Sequence, residues 1–345
     1  MSMVPKRLLL QVHRWSGLVA ALLILLQAGT GALLVFRTSL AELVDPAGMT
    51  RRSAAGEASL SQVVDTARAR YPGYGVEKVG FPQTAQGVYL VHLLDPRGAG
   101  RYVSVDPGTG QALRAGGLWA FPAEAVLQVH YRLLAGRVGL ALVMLSGLSL
   151  LVMAATGLSY WWPKRGRLKK SLLVDTRLPG KVVLRQIHRT LGVACAASAV
   201  FSATTGLVVA GEFMLTPGPL VPLAASAEPV RGDVDGALAQ ARTVYPGRAI
   251  RDVRLRQAGA LDVFFWAPEA SPHAVHRVRV DLAAERVRDV TPAARAGALW
   301  MTILPIHSGD IFGRAGSLVI LLGALGLVTL AATGPIVWLL SRRRQ

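Results

Sequence analysis

Two stretches of this 345-residue chain, LQVHYRLLAGRVG at residues 127–139 and LPIHSGDIFGRAG at residues 304–316, share one arrangement. In each, a histidine is followed six residues later by Gly-Arg, and a long apolar run comes next. Four such runs occur in the chain, at about 8–36, 138–162, 190–210 and 315–340. A bilayer is crossed by about 20 apolar residues in a helix, so the sequence predicts a membrane protein with a bundle of four transmembrane helices.

The formal net charge of +18 follows a membrane pattern and does not indicate a nucleic-acid site. Three short segments, 1–14, 163–189 and 342–344, hold 15 Lys and Arg residues and one acidic residue, whereas the long segments 37–137 and 211–314 are nearly balanced. Short cytoplasmic segments are enriched in Lys and Arg. We therefore expect both termini and the basic loop in the cytoplasm, both long segments in the periplasm, and the first run to be an uncleaved anchor of the bacterial inner membrane.

The two halves of the chain repeat one another, over about 1–162 and 181–340. Matching positions lie 175 or 177 residues apart: His13 and His188, Gly17 and Gly192, Gly31 and Gly206, His130 and His307, Arg137 and Arg314, Thr156-Gly157 and Thr333-Gly334. Each half consists of a helix, an outer segment and a second helix. This order predicts a parallel tandem repeat with both halves in the same orientation.

The repeat predicts eight segments. They are transmembrane helix 1 (8–36), a first periplasmic module (37–129), transmembrane helix 2 with an outer extension (130–162), a basic cytoplasmic loop (163–187), transmembrane helix 3 (188–210), a second periplasmic module (211–306), transmembrane helix 4 with an outer extension (307–340) and a cytoplasmic tail (341–345). In each module a helical pattern, at 59–71 or 234–244, precedes three strand patterns, at 75–81, 87–94 and 101–106 or at 249–255, 261–267 and 276–281. Each is therefore predicted to be a small α+β module with one helix against an antiparallel sheet.

Four of the seven histidines lie at the starts of the four apolar runs. The predicted topology pairs His13 with His188 at the cytoplasmic side and His130 with His307 at the periplasmic side. Ionisable residues at membrane spans usually face the bundle interior and mark function, and two imidazoles from facing helices are the axial arrangement for a haem. Polar residues that only cap helices are the alternative. Zinc is the rival metal, but it needs more protein ligands than either pair supplies.

One face of helix 1 and the matching face of helix 3 carry mostly small or polar residues. They are His13, Gly17, Ala20, Ile24, Gln27 and Gly31, and His188, Gly192, Cys195, Ala199, Ser202 and Gly206. Such faces leave room for a flat ring, and they equally allow two helices to pack closely. The single cysteine, Cys195, excludes an intrachain disulfide, and the lack of a CxxC motif excludes a c-type haem.

Four arginines near the histidines are candidate partners for haem propionates, which guanidinium groups bind well: Arg14, Arg189, Arg137 and Arg314. The first two also fit the cytoplasmic charge pattern. The other two would lie about 10 Å deeper on the histidine face of a continuous helix. If Gly136 and Gly313 break the helices, these arginines would instead extend toward the surface. His92, His273 and His276 do not repeat and are interpreted as solvated loop or strand residues, with substrate contact as the alternative.

With these motifs the chain resembles the PepSY-associated transmembrane proteins, which include FoxB-like siderophore reductases of the inner membrane. The resemblance covers nearly the whole chain and rests on VHRWSGL at 12–18, IHRTLGV at 187–193, two YPG motifs at 71–73 and 245–247, and the His…Gly-Arg…Thr-Gly pattern. It implies a di-haem b reductase that passes electrons to a ferric chelate, such as a ferric siderophore, for iron uptake. His13, His188, His130 and His307 would then ligate the two haem irons.

The chain has no G-x-G-x-x-G after a predicted strand and no P-loop, so no nicotinamide or flavin domain is visible. A separate electron donor is therefore expected: a quinol, a flavoprotein or a reduced flavin. The other expected partners are membrane lipid and the ferric chelate. Two rival functions stay open, a haem-free membrane-anchored binding or regulatory protein and a transporter. The transporter is disfavoured because no pair of Gly/Pro-interrupted helices marks a site at mid-membrane.

Overall fold

Long helices and an antiparallel sheet occupy different parts of the chain in the computed structural model, which describes residues 5–54, 56–164, 166–215, 232–256 and 259–342. The chain divides into two compact units. The helical unit comprises the described residues within Met1–Val35, Val126–Thr216 and Ile303–Gln345, and the sheet unit those within Phe36–Ala125 and Pro217–Thr302. Parts of the predicted basic ends and loop, including Arg165, Arg343 and Arg344, lie outside the described residues, as does 216–231 of the predicted second module.

The described residues form twelve α-helices. They are α1 (Lys6–Leu34), α2 (Arg37–Val44), α3 (Pro46–Met49), α4 (Leu60–Arg70), α5 (Pro122–Arg132), α6 (Gly136–Trp161), α7 (Leu168–Leu172), α8 (Gly180–Ala194), α9 (Ala196–Leu215), α10 (Val234–Val244), α11 (Trp300–Ser308) and α12 (Gly313–Arg342). Short 3-10 helices cover Leu118–Ala120, Ala293–Arg295 and Asp310–Phe312.

Four helices are long and apolar enough to cross a membrane, as predicted: α1, α6, α9 and α12 with the short 3-10 helix before it. Helix α1 packs against α6 and α12, α6 packs against α9, and α8 packs against α12. The residues buried between them are small, among them Ala28, Ala199 and Gly323, or apolar, such as Leu327. Small residues let helix backbones approach closely, which supplies the packing that hydrophobicity cannot supply in lipid.

The second and fourth predicted spans are broken shortly after His130 and His307, and the third is interrupted at Cys195. Helix α5 ends at Arg132 and α6 begins at Gly136, with φ of 49° at Leu133, 59° at Leu134 and 55° at Gly136. A similar break at Gly309 and Gly313, with φ of 83° and 59°, separates α11 from α12, and Cys195 separates α8 from α9. Residues in the left-handed region interrupt a right-handed helix. The helix that carries His130 therefore begins at Pro122 and ends before Arg137, and the continuous helix considered for Arg137 and Arg314 does not form.

The sheet unit contains one eight-stranded antiparallel sheet. Its strands are β1 (Gly75–Gly80), β2 (Tyr89–Leu94), β3 (Gly100–Val105), β4 (Ala112–Gly116), β5 (Ile250–Arg256), β6 (Ala260–Trp266), β7 (Val275–Asp281) and β8 (Arg286–Thr291). The spatial order is β4-β3-β2-β1-β5-β6-β7-β8. The two predicted modules thus share a sheet through the β1–β5 pair, in which Val79 faces Val253. The edge strands β4 and β8 were not predicted, because such edges are short and charged rather than apolar.

Helices α4 and α10 share a hydrophobic core with this sheet. Val63 and Ala67 of α4 and Ala237 and Ala241 of α10 are fully buried in it. Ser59 and Asp233 directly precede these helices, and their side chains accept backbone N–H bonds of the first turn, as helix N-caps do. Both predicted module helices therefore form, and both contribute to one core.

Candidate functional site

Each of the four predicted histidines lies against a Thr-Gly dipeptide of another helix in the helical unit. The distances from the imidazole Nδ1 to the threonine Oγ are 3.3 Å for His13 and Thr156, 3.1 Å for His130 and Thr30, 2.8 Å for His188 and Thr333, and 2.9 Å for His307 and Thr205. The helices joined in this way are α1 with α6, α5 with α1, α8 with α12, and α11 with α9. One local structure therefore occurs four times.

The glycine of each dipeptide lets the imidazole approach. A Cβ added to it would lie close to the histidine Cε1: 3.0 Å at Gly157, 3.1 Å at Gly31, 3.2 Å at Gly206 and 3.4 Å at Gly334. Well-packed interiors tolerate little added volume. An added methyl group at Gly157, Gly31 or Gly206 would push the imidazole away from the threonine, whereas at Gly334 it would only reach ordinary contact.

The four histidines differ in their other hydrogen-bond partners. Nδ1 of His13 also lies 3.1 Å from the Met153 carbonyl, and Nδ1 of His130 lies 3.0 Å from the Gln27 carbonyl. The Ser202 carbonyl is a further acceptor for His307. Within the described part of the chain, the only hydrogen-bond partner of His188 is the Thr333 hydroxyl. In every case Nδ1 is engaged and Nε2 is the nitrogen left for another ligand.

The histidines form the two pairs predicted from the topology. The ring centroids of His13 and His188 are 6.5 Å apart, and those of His130 and His307 are 6.3 Å apart. Two metal–nitrogen bonds of about 2 Å, together with roughly 1 Å from each ring centre to its nitrogen, add to about 6 Å. The spacing of both pairs therefore fits one iron held between two imidazoles.

The two pairs lie at opposite ends of the helical unit. His13 and Gly31, which contacts His130, are both on α1 and are 18 residues apart. That separation is five helical turns, which puts both residues on one face with a rise of about 27 Å. The predicted face of small and polar residues on α1 joins the two ends.

Buried N–H groups without an acceptor accompany both pairs. Among the described residues, Trp161 Nε1, Arg189 Nε and Gln27 Nε2 are buried and have no hydrogen-bond partner. Trp161 lies one turn after Gly157, Arg189 follows His188, and Gln27 lies one turn before Gly31. A buried donor without an acceptor costs about 1–3 kcal/mol. These three donors fit a cofactor that carries acceptor groups, as haem does through its carboxylates.

The candidate arginines do not behave alike. Arg14, Arg137 and Arg314 are exposed, and Arg137 Nη2 donates to the Met214 carbonyl at 3.0 Å. Arg189 is partly buried, and its Nη2 donates to the Leu173 carbonyl at 3.0 Å while its Nε is free. Of the four, Arg189 is the one whose environment suits a bound carboxylate.

The donor sets do not favour zinc. No group of three or more His, Cys, Asp and Glu side chains is arranged for a metal ion within the described residues. Zinc sites built from protein ligands use three or four such side chains. Paired imidazoles without a third ligand fit an iron whose four remaining positions come from a porphyrin.

The interpretation as a solvated residue was wrong for His276, which is buried, whereas His92 and His273 are partly exposed. His92 is partly buried, with Nδ1 3.0 Å from Glu77, and it stacks on Tyr102. Burial alone would raise the pKa of Glu77, but the His92 imidazole and nearby cationic side chains lower it overall. His276 is 9% exposed; its Nε2 lies 2.9 Å from Glu269, and its Nδ1 accepts the Ala293 N–H. Both stabilise the sheet unit.

The sheet unit also contains a cavity of about 250 Å³, whose lining includes Glu57, Tyr89, Asp235 and Arg242. Ligand pockets usually measure about 300–1,000 Å³. The Asp235 carboxylate is already engaged by the N–H and hydroxyl groups of Ser61. We therefore do not assign this cavity to the site.

The threonines are the residues of the candidate site that sequence reasoning missed. The repeat contained the signal, because Thr156-Gly157 recurs at Thr333-Gly334 and Gly31 recurs at Gly206. Only the packing of the helices shows that each dipeptide faces a histidine from elsewhere in the chain.

Fold and site together define a membrane protein with four apolar helices, two pairs of partly buried histidines and an antiparallel sheet domain. The chain matches the family described as the PepSY-associated TM region over residues 10–341. It therefore belongs to this family, which confirms the resemblance seen in the sequence. No curated protein matches the chain.

Proposed function

We propose that this protein is a di-haem b oxidoreductase of the bacterial inner membrane that carries electrons across the membrane to a ferric chelate, such as a ferric siderophore, in the periplasm. The observation that carries the proposal is the pair of histidine sites, with ring centroids 6.5 Å and 6.3 Å apart at opposite ends of one helical unit. One centre at each end suits electron transfer across a membrane better than a single site would.

The chain's own residues would bind and orient the two haem groups. Nε2 of His13 and His188 would ligate one iron, and Nε2 of His130 and His307 the other, because each Nδ1 is already hydrogen-bonded. Trp161, Arg189 and Gln27 supply N–H donors for polar groups of the cofactors. When bound, haem supplies reversible one-electron transfer.

The proposed orientation follows from charge. The loop between α6 and α8 is strongly basic; Lys169 and Lys170 in it, and Lys181 at the start of α8, are exposed. Basic segments stay in the cytoplasm, so the sheet unit, which follows α1 and α9 in the chain, would be periplasmic. Its two halves would be the two PepSY-like modules of the tandem repeat.

Reduction of the chelate would release its iron. One electron converts Fe(III) to Fe(II), which hard oxygen ligands bind more weakly because it carries less charge. The donor would be a separate molecule, a quinol, a flavoprotein or a reduced flavin, since the sequence contains no nucleotide-binding motif.

The experiment is a reduced-minus-oxidised visible spectrum of the purified full-length protein, with pyridine haemochrome quantitation. We expect two b-type haems per chain, reducible by dithionite and reoxidised by a ferric chelate. His13→Ala and His130→Ala should each remove one haem. His92→Ala is the matched control and should keep both, because His92 lies in the sheet unit.

A folded but colourless protein, produced with haem available, would overturn the proposal. It would favour the haem-free binding or regulatory function instead. If the protein holds two haems but no ferric chelate reoxidises them, the di-haem assignment stands and the proposed substrate is wrong.

A further inference from the structure

The four threonine hydroxyl groups that face the histidines have their own proton engaged elsewhere. Each donates to the backbone carbonyl four residues earlier in its own helix: Thr30 to Leu26 at 2.5 Å, Thr156 to Val152 at 2.7 Å, Thr205 to Phe201 at 2.8 Å and Thr333 to Thr329 at 2.7 Å. A hydroxyl has one proton and two lone pairs. Its oxygen can therefore only accept from the imidazole.

This arrangement fixes the tautomer of each imidazole. A neutral imidazole carries its proton on one nitrogen. Because the threonine oxygen accepts, that proton is on Nδ1, and the lone pair of Nε2 is free. The backbone carbonyls near His13 and His130 require the same tautomer, since a carbonyl is only an acceptor.

We propose that Thr30, Thr156, Thr205 and Thr333 are positioning residues that hold the four histidines in the Nδ1–H tautomer, and that His188 depends on its threonine more than His13 does. The difference follows from the partners: His13 keeps the Met153 carbonyl when Thr156 is altered, whereas His188 has no other partner among the described residues. The expected effect of this hydrogen bond on haem retention rests on the proposed function. Partners of this kind typically change metal affinity by about 10–100-fold.

The test compares Thr333→Val with Thr156→Val, which removes the matching hydroxyl from the same histidine pair. We expect Thr333→Val to release one of the two haems to an apoprotein acceptor at least about tenfold faster than wild type. The Thr156→Val variant should release this haem at nearly the wild-type rate. Thr333→Ser, which keeps the hydroxyl, should restore the wild-type rate.

Equal release from Thr333→Val and Thr156→Val, in a protein whose wild type holds two haems, would overturn the inference and leave the proposed function intact. A colourless wild type would overturn the proposed function. In that case ¹⁵N NMR of the histidine-labelled full-length protein decides the inference without haem. The Nδ1–H form should dominate at all four histidines, and Thr333→Val should shift His188 to the Nε2–H form. An unchanged His188 tautomer would reject the proposal.

Discussion

Among single residues, the glycines beside the histidines have a role that composition does not reveal. Helix α1 contains Gly29 and Gly31, and in sequence both resemble residues that merely let helices pack. A Cβ at Gly31 would lie 3.1 Å from His130 Cε1, whereas a Cβ at Gly29 meets nothing within 4 Å. The two positions therefore separate the requirement for space at the histidine from the general effect of a glycine in a helix.

Gly31→Ala should weaken haem retention at the His130/His307 pair, because the imidazole must move away from Thr30. We expect faster haem release, by about tenfold, as when a supporting hydrogen bond of a ligand is lost. The measurement is the rate of haem transfer to an apoprotein acceptor, followed in the visible spectrum.

Gly29→Ala is the control on the same helix. It should leave haem release unchanged and make α1 more stable, by about 0.5–1 kcal/mol, since alanine loses less conformational freedom than glycine in a helix. If the two variants release haem at the same rate, the packing of His130 against Gly31 has no part in haem binding.

The site histidines themselves were within reach of the sequence. His13, His130, His188 and His307 stand out because they repeat and because they lie at apolar runs. Their Nδ1 partners were not accessible, since the threonine that contacts His13 is 143 residues away along the chain. Nor did the sequence show which of the four arginines would be partly buried, because that depends on how the helices pack.

At the scale of the element, the breaks in the apolar helices are the main departure from the prediction. Hydropathy measures how long an apolar run is, and it does not detect a turn made of apolar residues. Leu133 and Leu134 both have left-handed backbone conformations, yet leucine is a strong helix former. In the sequence, only Gly136 and Gly313 indicated that the helix could be broken rather than continuous.

Gly136→Ala tests the break between α5 and α6. A Cβ at Gly136 would contact nothing within 4 Å, so the cost comes from the φ of 55° alone. We expect the free energy of unfolding to fall by about 1–3 kcal/mol, the usual cost of a strained non-glycine conformation. Denaturant unfolding of the protein in detergent measures it.

Leu134→Gly should act in the opposite direction. Leu134 has a φ of 59° and is 44% exposed, so glycine relieves strain and removes little buried surface. If Gly136→Ala stabilises the protein while Leu134→Gly destabilises it, α5 and α6 join as one helix in solution.

For the whole chain, the order of elements followed from the sequence, but the way in which distant segments join did not. The two predicted modules appear as the two halves of the sheet, each with its helix. Their union through β1 and β5 rests on three residue pairs, among them Lys78 with Arg254. Antiparallel pairing between residues that are 172 to 176 positions apart leaves no mark in local periodicity.

A shared core implies that the two halves of the sheet unfold together. Leu93 in β2 is fully buried in the same hydrophobic cluster as Val263 in β6. Leu93→Ala should destabilise the sheet unit by about 2–5 kcal/mol. Because the core is common, amide hydrogen exchange in the full-length protein should become faster in β5–β7 as well as in β1–β3.

The solvent-facing Leu43→Ala in α2 is the control, since Leu43 is 81% exposed. It should leave exchange in both halves unchanged. Faster exchange confined to β1–β4 in Leu93→Ala would show that the halves are independently stable.

The four Thr-Gly contacts also divide by half. His13 packs against Thr156 of α6 and His130 against Thr30 of α1, so both contacts lie within the first half, and the contacts of His188 and His307 lie within the second half. The histidine pairs, in contrast, each take one member from either half. A ribosome makes the chain from its N-terminus, so the first half is finished well before the second. Its two histidines, His13 and His130, therefore have their threonine contacts before the second half supplies His188 and His307, the other members of the two pairs.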